Sequence, residues 1–334
     1  MRKFHITAII LGVTLLLFLV WKIGPGALWR EFTVMGWGLL PFVLIEGIVK
    51  VFHTVALRHC LSPPYSALPL GRLYKIYLAG SSINFFTPTA TIGGEVVKGA
   101  LLTAEHPGSG AATGVIVGKL AYAFSQFFMV LLGLVVVLWK IPLPASAYAG
   151  LIVGSVLLGS GIIGFLVVQR KGKLGAIIRW VADRSRSETL NRWAQYITKV
   201  DDDLRLFYRE NPTGLPVAIS WHMVGYLVSM LKTWYFLSLF THEPFMTAAG
   251  IWLLSTWLDL MVFFIPLEIG LQESIRVVVF SFLGFTMALG LTYGIALRVE
   301  QLFWGVAGLL IYMAILPSRQ VVDVLPEVVV GDDR

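Results

Sequence analysis

The chain has 334 residues, 57% of them hydrophobic and only 13% charged, with a net charge of +7 and a mean hydropathy of +0.79. Soluble domains carry about 25% charged residues, so this composition excludes an ordinary soluble domain and marks an integral membrane protein. The basic balance suits loops facing anionic lipid better than a nucleic-acid footprint, and the single cysteine, Cys60, permits no internal disulfide.

In chain order, Arg2 and Lys3 precede an apolar run over 6–20. Trp21-Lys22-Ile23-Gly24-Pro25 follows, with no A-x-A-like cleavage site, so residues 1–30 are expected to hold a transmembrane helix rather than a signal peptide. Apolar segments near the roughly 20 residues needed to cross a bilayer fall at 5–22, 36–57, 110–139, 143–168, 214–240 and 287–316, about six full spans. Between the fourth and fifth lies 169–213, with ten Lys/Arg against six Asp/Glu, the strongest cytoplasmic marker in the chain. Counting spans outward from this loop places the N-terminus and the 318–334 tail in the cytoplasm of a bacterial-type inner membrane.

That parity leaves two segments, 73–103 and 246–286, each beginning and ending on one side. Each has two apolar pieces too short to cross and a break between them, at Pro88 to Gly94 and at Pro266 to Gly270. Re-entrant hairpins are expected there, with two ordinary spans in each place as the alternative. The breaks share a pattern: Phe85-Phe86-Thr87-Pro88, then Glu95 and Lys98; Phe263-Phe264-Ile265-Pro266, then Glu273 and Arg276. The spacing is constant, since 266 − 88 and 273 − 95 both give 178. Spans 36–57 and 110–139 shifted by 178 land on 214–235 and 288–317. The expected fold is therefore all-α: repeat 1 at 36–139, a linker helix and basic loop at 143–213, and an inverted repeat 2 at 214–317.

Broken helices at the midplane are where transporters bind cargo. Thr87, Thr89 and Thr91 can offer hydroxyls to carbonyls freed by Pro88. Gly93 and Gly94 open a half-helix whose N-terminus favours an anion, or merely permit close helix packing. Glu95/Lys98 and Glu273/Arg276, each three apart, share a helix face. They persist in apolar sequence only if paired or hydrated, since a lone intramembrane charge costs roughly 2.5–3.5 kcal/mol. They are either a polar cavity for a headgroup or two structural ion pairs.

Asp259 and Glu268 flank the second break, and Lys119, Arg298 and Glu300 lie in core spans. Glu46, Lys50 and His53 share one face of the second span, where Glu46/Lys50 reads equally as a simple i,i+4 pair. His53 and His222 read as packing residues before proton carriers, and Gly110, Gly114 and Gly118 as a small-residue packing stripe. Asp201-Asp202-Asp203 reads as a solvated face rather than a metal site. No P-loop, HExxH, Cys/His cluster or Ser-His-Asp arrangement is present, so no enzyme, metal site or cofactor is expected.

The run Asn84-Phe85-Phe86-Thr87-Pro88 with Gly93-Gly94-Glu95-Val96-Val97-Lys98 resembles the first signature of the lysylphosphatidylglycerol synthase transmembrane, or flippase-like, family. That signature is an asparagine, a proline, Gly-Gly, an acid and a nearby base. The stretch from Pro266 to Arg276 is similar to its later proline-glycine-glutamate element, with Glu268 and Gln272 in place of small or apolar residues. The resemblance implies movement of lipids or lipid-linked precursors between leaflets, by a stand-alone member of the hopanoid-biosynthesis-associated type without the aminoacyl-transferase domain. Membrane lipids are the expected partners, with a lipid-modifying enzyme as a further candidate and no nucleic acid. Lys98 and Arg276 would hold phosphate, and Glu95 and Glu273 a cationic group or the charge balance. A transporter of ions or small solutes and a non-transporting scaffold remain the rival readings.

Overall fold

A computed structural model describes residues 17–87, 92–108, 110–140, 145–171, 202–262 and 270–316, with isolated positions at 14, 176, 180, 183 and 184. The described residues are helical with no strand. Ten helices are named here: α1 Pro25–Met35, α2 Leu39–His59, α3 Leu70–Phe86, α4 Gly93–Glu105 and α5 Gly110–Lys140. They continue as α6 Ala145–Arg170, α7 Gly214–Ser238, α8 Phe245–Val262, α9 Leu271–Phe282 and α10 Met287–Ile315.

Among the described residues, four helical stretches are long and apolar enough to cross a membrane: Pro25–His59, Gly110–Leu132, Gly214–Ser238 and Met287–Ile315. They match four expected spans, the first extended toward the N-terminus because α1 runs through a single 3-10 turn into α2. The expected 143–168 span is the helix α6, whose apolar part, Ile152–Val168, is shorter. Most of 5–22 lies outside the described residues.

The shorter helices end and begin where the sequence has its breaks. α3 ends at Phe86, and the Thr87 hydroxyl caps the end by donating to the Ile83 carbonyl at 2.5 Å. α4 begins at Gly93 and α9 at Leu271, 178 residues apart. Gly270 enters α9 with φ 75°, a left-handed backbone that glycine adopts without a Cβ clash. Pro88, Thr89, Thr91, Pro266 and Glu268 lie outside the described residues.

Packing pairs recur between the halves. α2 packs on α7; α3 on α10, and α5 on α8; α4 on α5, and α9 on α10. Two apolar clusters each draw on both halves. One gathers Leu57, Leu73, Ile76, Leu101 and Leu102; the other, Phe42, Phe236, Phe280 and Tyr293. The glycine stripe at Gly110, Gly114 and Gly118 seats α5 against Leu57 of α2 and against Leu61 and Tyr65 just beyond its end.

A polar cavity in the first half

Helices α3 and α4 touch through Gly80 and Gly94, so closely that a Cβ at Gly94 would strike the Gly80 carbonyl oxygen. The Gly94 N–H donates to Asn84 Oδ1 at 2.6 Å. Gly94 thus serves the close packing, and Asn84 spends its oxygen on the first turn of α4. Its Nδ2 points at Glu95 Oε1, 3.5 Å away.

This approach projects Glu95 and Lys98 into a cavity of about 280 Å³. Lys98 Nζ lies 3.0 Å from both Glu95 oxygens and 4.7 Å from the centre of the Tyr77 ring. Lys119 comes from α5 to within 3.8 Å of Glu95 and lies over Tyr122. Glu46 and Lys50 enter from α2, paired at 3.3 Å. Ser81, on α3, lines the same space. The far wall holds His53 and His222, whose Nδ1 atoms are 2.7 Å apart, so one ring donates and the other accepts.

The second half is built differently. Glu273, expected beside Arg276, instead accepts from Arg298 Nε at 2.9 Å. Arg276 forms a bidentate pair with Asp259 at 2.5 and 2.7 Å. Both motif residues are buried, at 1% and 7% exposure, and neither borders the cavity around Glu95. The expectation that Lys98 and Arg276 face one headgroup site is therefore corrected. The cause is a single residue. Asp259 minus 178 is Ser81, so the second half has an acid where the first has a hydroxyl. Arg276 reaches across to that acid, whereas Lys98 pairs with Glu95 on its own helix. The cross-helix pair does repeat: Lys119 with Glu95, Arg298 with Glu273.

Glu300 lies apart from both motifs. It accepts from Lys232 Nζ at 2.7 Å, and the same ammonium donates to Glu46 at 2.6 Å. Lys232, only 3% exposed and resting 5.3 Å from the Phe42 ring, went unnoticed in the sequence. A lone lysine within the apolar 214–240 run was the available signal. Tyr77, Tyr122 and Ser81 were likewise not singled out.

Residues 5–308 match the sequence family described as the lysylphosphatidylglycerol synthase TM region. The chain belongs to this family. No curated protein and no solved structure matched it. The family match covers both halves, including the cavity and the buried pairs, and agrees with the helical, apolar architecture of a multi-pass membrane protein related to lipid modification or flipping. Within this family domain, the lysine-lined cavity of the first half is the candidate functional site.

Proposed function

We propose that this chain is a lipid translocase that admits the anionic headgroup of a phospholipid or lipid-linked precursor into the cavity around Glu95 while the tails stay in the bilayer. The observation that carries the reading is three lysines, Lys50, Lys98 and Lys119, converging on one polar cavity inside a family-matched membrane domain. Lys98 and Lys119 share one carboxylate, so the three carry one net positive charge, which an incoming phosphate offers to neutralise. Glu95 then holds whichever lysine the phosphate leaves, or an amine on the headgroup. The function is transport rather than catalysis, in an inner membrane with both termini cytoplasmic.

The same reading takes 73–103 and 246–286 as re-entrant hairpins of an inverted repeat. The 178-residue offset of α4 and α9 and the recurrence of packing pairs support it. A scaffold role would suit the buried pairs of the second half, but it leaves the lysine-lined cavity without a use. Leaflet-resolved transport of a headgroup-labelled lipid in proteoliposomes tests the proposal. The Lys98→Gln, Lys119→Gln double variant is expected to lose transport at least about tenfold, the loss of one charge-assisted contact of about 1.5–3 kcal/mol. Transport at the wild-type rate would sink it.

A further inference from the structure

Glu46, Lys50, Lys232 and Glu300 form a polar centre that headgroup binding alone leaves unexplained. Their formal charges sum to zero. Lys232 holds two carboxylates at 2.6 and 2.7 Å, while Lys50 is tied to Glu46 by the longest contact of the three, 3.3 Å. Lys50 and Glu46 border the large cavity on one side. On the other they border a second cavity of about 90 Å³, which Glu300 and Gln301 also line. The centre thus stands between two spaces, with α2, α7 and α10 each contributing a charge.

An anion in the large cavity competes with Glu46 for Lys50. When Lys50 turns to the anion, Glu46, Lys232 and Glu300 are left with one uncompensated negative charge at membrane depth, where such a charge is costly. Two carboxylates crowded on one ammonium then favour taking up a proton. The geometry points to Glu46–Lys232–Glu300 as a proton-binding site that fills when an anionic headgroup takes Lys50, so that lipid and proton bind together. The inference rests on the headgroup reading above and adds to it the ion that is carried along.

The surroundings direct the proton to these carboxylates. From α2, His53 faces Glu46, but it is bonded to His222 of α7, with Lys50 and Lys98 also near it. From α3, Tyr74 and Tyr77 are neutral neighbours of Glu46. From α10, Tyr293 faces Lys232 and shares its hydroxyl with Thr233, with Arg276 of α9 beyond it. Glu95 and Lys98 of α4, and Lys119 and Tyr122 of α5, sit around the large cavity.

Binding and protonation are then reciprocal. Proton uptake on binding means that the anionic lipid binds more tightly as pH falls. The test uses the full chain in detergent, weakly buffered, with dioctanoyl phosphatidylglycerol as probe, a phosphodiester that stays ionised near neutrality. Calorimetry reads binding, and a pH-sensitive dye reads protons. The expected wild-type result is roughly one proton taken up per lipid bound, with the ratio falling several-fold in Glu300→Gln or Glu46→Gln, whatever their affinity. Binding without proton uptake by the wild type overturns the proton site and leaves the headgroup reading standing. An undiminished ratio in both variants also overturns it. Absence of binding overturns the headgroup reading, and this inference with it. The wild-type ratio needs no substitution, so a variant that fails to fold does not remove the test.

Discussion

Lys232 is the residue on which the centre of the bundle depends. It is the ammonium between Glu46 and Glu300, and removing it leaves two carboxylates facing each other in a buried site. Breaking a buried pair from one side costs about 3–5 kcal/mol, while replacing all its charged members by apolar or neutral groups is far milder. Lys232→Met is therefore expected to lower the thermal midpoint sharply in detergent, and Lys232→Met with Glu300→Gln to recover much of the loss. Equal destabilisation by the single and double variants would contradict the pairing. Ser81 makes the opposite case, a small residue that leaves room. Ser81→Asp is expected to draw Lys98 across the α3–α4 contact as Asp259 draws Arg276, filling the cavity and abolishing lipid transport while the chain stays folded. Unimpaired transport by that variant would disconnect the cavity from the activity.

At the scale of helices, the sequence was legible where local rules operate. Prolines, glycines and runs of apolar residues place α4 and α9 at the same offset and end α3 at Phe86. Contacts between helices were less legible. The i,i+3 rule places Glu273 and Arg276 on one face, but says nothing of Asp259, 17 residues back, or of Arg298, 25 residues on. Asp259 outcompetes the local neighbour because its bidentate pair with the Arg276 guanidinium has two parallel hydrogen bonds, and Glu273 is left to accept the single Nε bond of Arg298. Gly93-Gly94 read equally as an anion site or as packing, and packing is what the structure uses Gly94 for. That contact supplies its own test. Gly94→Ala places a methyl group against the Gly80 backbone and is expected to cost about 1–3 kcal/mol. Gly99→Ala, on the same helix with open space around it, is expected to be neutral or better. Comparing their thermal midpoints checks this, and indifference to Gly94→Ala would refute the close α3–α4 approach.

At the scale of the whole molecule, an apolar core encloses several charged side chains, while many large apolar side chains face outward. Trp21, Trp29 and Trp37 are among the most exposed side chains, while Lys98, Lys232, Glu273 and Glu300 are buried. This arrangement is expected of a solute in lipid, whose tails offer no hydrogen bonds to an inward-facing charge. The orientation of the hairpins can be read with thiol reagents, because the only native cysteine, Cys60, is 0% exposed and silent. On the re-entrant reading, cysteines introduced at the exposed Ala67 and Pro107 are labelled from one face of the membrane. Those at His242 and Ser281 are labelled from the other. Labelling of Ala67→Cys and Pro107→Cys from opposite faces would exclude the first hairpin, and the pair of full spans with it, in favour of a single crossing.

The acid at 259 opposite the hydroxyl at 81 also bears on how the protein moves. A machine with two interchangeable halves can work as a seesaw, each half taking in turn the posture the other has left. Here one half is bolted by a two-pronged clasp between α8 and α9, while its counterpart rests on a looser, shared grip. Such a machine is better compared to a hand closing on an anvil. On the transport reading, the stroke falls to the helices around Lys98, and the clasped pair of Arg276 and Asp259 supplies the fixed surface against which they work.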